Sequence, residues 1–287
     1  MKLGVVFPQT EIGDDPIALK DYAQAVEGMG YDYLLTYEHI VGANPERPGG
    51  WHGPYTHESA FHEPFVLFGY LAALTQKLTF VTGVVILPQR SATLVAKQAA
   101  QVDVLSGGRL HLGVGVGWNP VECQASGFEF HNRGKRIEEQ IAVMRELWTK
   151  RLVTFKGQYH TLDDVGIKPM PVQQPIPIWM GGMADVVLRR AARLADGYLP
   201  NATSPEVSKP ILDTIRQYVV AEGRNPDDFG INARINMNRV EDGQLAANIQ
   251  GWRDLNVSHL AVNTMGMEFT SLQQHLDAIR NFKDTAG

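Results

Sequence analysis

The 287-residue chain holds 44% hydrophobic and 20% charged residues at a formal net charge of −5. That composition supports a substantial core and gives no general attraction for nucleic acid or an anionic membrane. Cys123 is the only cysteine, which excludes an intrachain disulfide framework and a cysteine zinc site.

The apolar run Leu3–Phe7, stopped by Pro8, reads as a buried strand. It is too short for a signal-peptide core, and no stretch approaches the roughly 20 apolar residues of a membrane span, so a cytoplasmic protein is expected. Helical spacing follows over Pro16–Met29, then a second strand at Tyr33–Thr36 leading into Tyr37-Glu38-His39. From Val41 to Phe61 the pattern fails among Gly, Pro, His and aromatic residues. A loop of that length in a compact domain is a lid or binding loop, or disordered. Glu63–Leu74 predicts a helix, Leu78–Leu87 a strand ended by Pro88, and Thr93–Leu105 a helix closed by Ser106-Gly107-Gly108. A strand then runs through Leu110-His111-Leu112-Gly113-Val114-Gly115, and Arg136–Leu147 is helical.

Leu152–Leu162 looks like a hairpin excursion before a strand at Pro175–Met180, and Gly181-Gly182-Met183-Ala184-Asp185 leads into helix Val186–Ala195. Strands at Gly197–Pro200, Gly230–Asn236 and Ser258–Val262 alternate with helices at Pro205–Glu222, Leu245–Leu255 and Leu272–Phe282. Strict alternation implies a parallel sheet. Eight strand–helix units with no composition break predict one (β/α)8 barrel domain spanning 1–287, with an insertion loop after strand two and a hairpin before strand five.

In such a barrel the active site lies at the C-terminal strand ends. These ends carry Gln9, Glu38-His39, Thr82-Gly83-Val84, Gly115 to Asn119, and Gly181-Gly182-Met183. Glycines 113, 115 and 117 share one face of their strand, leaving room for something flat or bulky against the backbone, or simply for close strand packing. The spacing fails the dinucleotide fingerprint, because Trp118 stands where the third glycine is due. Gly181-Gly182 at a helix start suits a phosphate, or else forms a plain tight turn. His57 and His62 lie too far apart around a helix to share a zinc ion, no metal site is expected, and no serine sits in a nucleophile elbow. His39 is the leading titratable candidate: an imidazole at a strand end can exchange protons near neutral pH.

Thr82-Gly83-Val84-Val85-Ile86-Leu87-Pro88, the run from Leu105 to Trp118, Pro177-Ile178-Trp179-Met180-Gly181-Gly182 and the run from Arg189 to Tyr198 together resemble the luciferase-like flavin and deazaflavin oxidoreductases. Gly117-Trp118-Asn119-Pro120 followed by Glu122 is most similar to the coenzyme F420-dependent branch. The resemblance implies a cofactor in the barrel mouth and a non-proline cis peptide at Gly83-Val84 supporting the ring. It further implies Gly115 and Gly117 bare where the cofactor passes, Gly181, Gly182 and Met183 holding its phosphate, and His39 facing it. Gln9, Thr82, Trp118 and Asn119 join that cofactor-binding set.

Relatives acting on sugar phosphates carry a catalytic glutamate where this chain has Trp118, and the anionic clamp of those relatives has no clear counterpart here. Glu122, one helical turn later, is only a weak replacement, and His39, Trp118 and Glu122 form the catalytic candidates. The resemblance also implies a homodimer. The leading expectation is hydride transfer between F420 and a small organic substrate. The alternatives are an FMN-dependent monooxygenase served by a reductase partner, and a non-enzymatic flavin or deazaflavin carrier.

Overall fold

The helices begin where side chains can accept from the free N–H groups of a first turn. The computed structural model describes residues 1–202 and 204–287. Asp15 caps α1 (Pro16–Gly28), Glu63 caps α2 (Pro64–Ala72) and Ser91 caps α3 (Ala92–Ser106). Pro16 and Pro64 sit at first-turn positions where no N–H is needed. The end of α3 is set by Gly107 in the left-handed region at φ 69°. Two helices follow the next strand, a short α4 (Pro120–Ala125) capped by Asn119, and α5 (Arg133–Thr149). They are followed by α6 (Asp185–Leu194), α7 (Pro205–Ala221), α8 (Leu245–Asp254) and α9 (Leu272–Ala286).

The strands are β1 (Lys2–Val6), β2 (Tyr33–Thr36), β3 (Thr79–Thr82), β4 (Val85–Ile86) and β5 (Leu110–Gly115) in the first half. An antiparallel hairpin of β6 (Val153–Lys156) and β7 (Thr161–Val165) follows, where the sequence predicted an excursion. The second half supplies β8 (Ile178–Gly181), β9 (Gly197–Leu199), β10 (Gly230–Asn236) and β11 (His259–Asn263). Apart from the hairpin, every pairing is parallel, in the order β3-β2-β1-β11-β10-β9-β8-β5. The ring closes where β5 pairs with both β3 (Phe80 beside Leu110) and β4 (Val85 beside Val114). The result is the expected (β/α)8 barrel. Among the described residues no helix is long and apolar enough to cross a membrane.

Strand three departs from the predicted unbroken run Leu78–Leu87. It is two pieces, interrupted at Gly83-Val84, whose peptide is cis as the resemblance implied. A 3-10 turn, Leu87–Gln89, takes the place of its predicted end.

Two layers of core follow from strand alternation. Outward-facing residues such as Val5, Leu34, Phe80 and Ile231 pack under the helices, while Tyr33, Leu35, Val81, Trp179 and Leu199 fill the barrel itself. His111 is the packed residue its mid-strand position predicted, stacked on Trp179 at 5.9 Å. Along β10, Ile231, Ala233 and Ile235 join the outer core, so Asn232, Arg234 and Asn236 face inward.

Candidate active site at the barrel mouth

Two cavities open at the C-terminal strand ends. The larger, a cleft of about 790 Å³, is lined on one side by Gly83, Val84, Ile86, Gly115, Gly117 and the run Gly181 to Met183. Its other side carries Tyr37, Asn201, Arg234, Asn236, Arg239 and Asn263. That volume lies within the roughly 300–1,000 Å³ range of ligand and cofactor sites. The smaller cavity, about 370 Å³, lies under residues 41–61 and is lined by His39, Trp51, Tyr55, Phe61, Trp118 and Asn119 among others. Tyr55 and Trp118 line both.

The bare glycine face on β5 serves close strand packing, one of its two expected causes. A Cβ at Gly115 would lie 2.6 Å from Val84 Cγ2, and one at Gly117 would lie 2.5 Å from Ile86 Cγ2. At Gly113 a Cβ would run into the Thr82 carbonyl. These positions are small so that strand three can press against β5. Val84 also comes within 3.0 Å of the Cβ position of Gly181, so its side chain is seated between β5 and β8 and forms a shelf in the cleft wall. The glycines line the cleft with backbone, while Val84 supplies the surface.

Glu38 holds this shelf in place. Its carboxylate accepts from the Ile86 N–H at 2.5 Å and pairs with Arg90, and Arg90 reaches Glu63 at the root of α2, 2.9 Å away. Burial pushes the Glu38 pKa up, with the Arg90 guanidinium opposing that shift. Removing Arg90 would therefore leave a buried carboxylate uncompensated.

Three expected contacts are placed elsewhere. Gln9 is fully buried, donating to the Tyr37 carbonyl at 3.0 Å and accepting from Thr36 Oγ1, so it ties β1 to the end of β2. Thr82 is fully buried and donates to the Gly113 carbonyl at 2.7 Å. Neither lines the cleft. His39 lines the smaller cavity, with Tyr55 and Trp118 forming the wall shared with the glycine-lined cleft. Trp118 stacks on Trp51 at 5.7 Å and 21°, an aromatic wall fastened to the 41–61 segment.

Glu122 is buried at 1% exposure and its carboxylate is turned to His39. Its Oε2 lies 3.1 Å from His39 Nδ1, and its other oxygen accepts from the Ile40 N–H. Asn119, capping α4 through Val121 and Glu122 N–H groups at 3.0 and 3.3 Å, fixes the turn that delivers this carboxylate. Because a carboxylate only accepts, Nδ1 carries the proton in the neutral ring and Nε2 is left as the acceptor. Nε2 has no protein partner among the described residues. Tyr55 and Phe61 pack on the ring at 5.0 and 4.8 Å. Glu122 thus acts through the imidazole.

The helix start beside Gly181-Gly182 fits an anion. Ala184 at the N-cap of α6 makes no side-chain cap bond, as at α5 and α8. Gly182 adopts φ 134°, a conformation open to glycine, and a Cβ there would press on Val187 of the first turn at 2.9 Å. With the flat Val84 shelf alongside, the residues fit a planar cofactor bearing a phosphate.

The inward polar stripe of β10 was not singled out in the sequence. Its signal was present as Asn232, Arg234 and Asn236 at period 2 in Gly230–Asn236. Which strand face lies inside becomes definite only once the barrel closes.

Comparison with known proteins places this geometry. A protein of Mycobacterium tuberculosis described as uncharacterized is 32% identical over 268 residues, covering 91% of this chain and 92% of its own. An F420-dependent glucose-6-phosphate dehydrogenase of Amycolatopsis mediterranei is 28% identical over 267 residues, 90% of this chain and 75% of that one. An FMNH(2)-dependent dimethylsulfone monooxygenase of Pseudomonas putida is 32% identical over 215 residues, 74% of this chain and 55% of that one. Among solved structures, an F420-dependent secondary alcohol dehydrogenase in complex with an F420-acetone adduct superposes with a TM-score of 0.80 at 17% identity, covering 100% and 99% of the two chains. The sequence profile of the luciferase-like monooxygenase family matches residues 1–242, and the chain belongs to that family.

Proposed function

We propose that the protein is an F420-dependent oxidoreductase acting on a small organic substrate. The observation that carries this reading is His39, oriented by Glu122 so that Nε2 is unpaired in a cavity sharing Tyr55 and Trp118 with the glycine-lined cleft. Oxidising a carbon bearing a hydroxyl releases a hydride and a proton, and a neutral imidazole accepts the proton. F420, when bound, supplies the hydride chemistry at its deazaflavin ring. The Val84 shelf supports a planar group, and the N–H groups after Gly181 hold a phosphate. Trp118, Trp51 and Tyr55 exclude water, and Glu122 keeps His39 Nδ1 protonated so that Nε2 takes up or returns the proton. The similarity to the glucose-6-phosphate dehydrogenase over 90% of this chain supports the choice of cofactor.

A second reading, an FMN-dependent monooxygenase served by a separate reductase, is favoured by the 32% identity to the dimethylsulfone monooxygenase. Deazaflavins react poorly with oxygen, which separates the two. The test is anaerobic incubation with F420 and a panel of small alcohols, both neutral and bearing a carboxylate or phosphate, following cofactor absorbance, beside oxygen uptake with reduced FMN. Alcohol-dependent reduction of F420 without oxygen uptake supports the first reading; oxygen consumption dependent on FMN and absence of F420 turnover supports the second.

A further inference from the structure

The two sides of the larger cleft differ in charge, and the cofactor reading uses only one of them. Opposite the glycine-lined wall stand Arg234 and Arg239 together with Asn201, Asn236 and Asn263. Among the described residues the only carboxylate lining the cleft is Glu38, already paired with Arg90. None of the ion pairs among the described residues uses Arg234 or Arg239. In a chain of net charge −5, two arginines without counter-charges in one concavity make it locally positive and favour an anion there.

Arg234 is also held in one pose. A single guanidinium nitrogen donates to Asn201 Oδ1 at 2.8 Å and to the Pro200 carbonyl at 3.3 Å. The guanidinium carbon stands 5.4 Å from the centre of the Tyr37 ring. Nε and Nη1 have no protein acceptor among the described residues, so one N–H donor stays open on either side of the engaged Nη2. A guanidinium held this way can donate a charge-assisted bond to an oxygen of a carboxylate or phosphate. Asn236 flanks it, positioned by the Asn263 side-chain amide, which donates to Asn236 Oδ1 at 3.0 Å.

We propose that Arg234, with Arg239 at the rim and Asn236 beside it, forms the subsite for an anionic group of the substrate. The substrate is then a small organic carboxylate or phosphate ester rather than a neutral alcohol or alkane. The inference rests on the F420 reading of the opposite wall. β9 separates β8 from β10 in the barrel, so the helix start that suits the cofactor phosphate lies about 10 Å from the strand bearing Arg234, at two interstrand spacings. That separation allows both anions at once. Tyr55, common to both cavities, then lies beside the rest of the substrate on the way to His39.

The test is calorimetric titration at constant ionic strength. Wild-type protein is first titrated with F420 and FMN, and the loaded protein is then titrated with inorganic phosphate, benzoate and the neutral isostere benzamide. The wild type is expected to bind phosphate or benzoate and to discriminate against benzamide. Arg234→Gln is expected to weaken the anions by about tenfold or more with cofactor affinity changed less than about twofold. Arg234→Lys, which keeps the charge and loses the planar group that Asn201 holds, falls between, and exposed Arg239→Gln costs a few-fold without threatening the fold. Equal binding of benzamide and benzoate, or unchanged anion binding in both glutamine variants, overturns the proposal. A parallel loss of cofactor affinity in Arg234→Gln overturns it too, because the arginine then serves the cofactor's own anionic tail. If neither cofactor binds, the functional reading fails, and the same anion titrations on cofactor-free protein still decide the subsite.

Discussion

The two ends of the barrel are built from the same residue types and end up as opposites. At the N-terminal end Gly4 backs onto the Tyr33 ring, and Gly197 and Gly230 back onto Trp179, with a Cβ at any of them running into the aromatic ring. His259 packs edge-on to Trp179 at 5.0 Å and His111 stacks on it. Burial lowers the pKa of His111 to about 4 and that of His259 to about 3, with Lys2 and, for His259, the neighbouring His111 adding to the effect. At the C-terminal end the glycines admit only Val84 and Ile86, a cleft remains open, and His39 has a buried carboxylate behind it. Glycine and histidine therefore mark a plug or a site according to what fills the vacated space and whether the imidazole is given an acid.

The sharpest contrast comes from removing one residue at each end. His39→Ala is expected to lower kcat by about 10²–10⁴-fold, the usual contribution of a positioned acid–base group, with cofactor affinity nearly unchanged. Steady-state rates and cofactor titration check this, and an unimpaired variant would remove His39 from the chemistry. Glu122→Gln is expected to cost less, while moving the pH–rate profile. Trp179→Ala at the floor should instead cost about 3–5 kcal/mol of stability through the cavity it leaves. Urea unfolding measures that loss, and the folded protein is expected to bind cofactor as before.

A change of pH separates the histidines further. His111 and His259 have folded pKa values below the unfolded value, so the unfolded chain takes up protons first as pH falls. The stability they contribute is complete above about pH 6.5 and is lost progressively down to about 4 and about 3. Going from pH 7 to 5 should cost about 2 kcal/mol for each, measured by urea unfolding at both pH values, and His259→Phe should flatten the slope. A slope unchanged by that substitution would show that the floor histidine is not the group responsible. The smallest expected effect is at the mouth: Gly115→Ala presses on Val84 and should cost about 1–2 kcal/mol by overpacking, together with weakened cofactor binding. The calorimetric titration of Arg234 variants probes the wall facing this one.

The alternation of strands and helices was legible because its punctuation is local. Asp15-Pro16, Glu63-Pro64, Ser91 and Gly107 mark helix ends by chemistry confined to one turn. The break in strand three was not visible from periodicity, since Phe80 to Leu87 is apolar throughout apart from Thr82 and Gly83. Only the family resemblance pointed to it. Side-chain partners across the barrel were out of reach for a related reason. Gln9 and Thr82 sit at strand ends where a ligand contact is expected, yet each is satisfied by a neighbouring strand's backbone, and neighbours are set by closure. The glycines of β5 allowed either a ligand or close strand packing, and the space is taken by strand three. Glu122 stood out only as a weak replacement for a missing glutamate, and its pairing with His39 became apparent only when α4 was folded against β2.

The central claim is that the cleft behind Val84 is a deazaflavin site. Equilibrium dialysis of the purified protein against F420 and against FMN, repeated with Gly115→Val, tests it most directly. The expected result is micromolar binding of F420 in preference to FMN, lost or sharply weakened in the variant. Retention of FMN with no F420 bound, or F420 binding indifferent to the substitution, would contradict it.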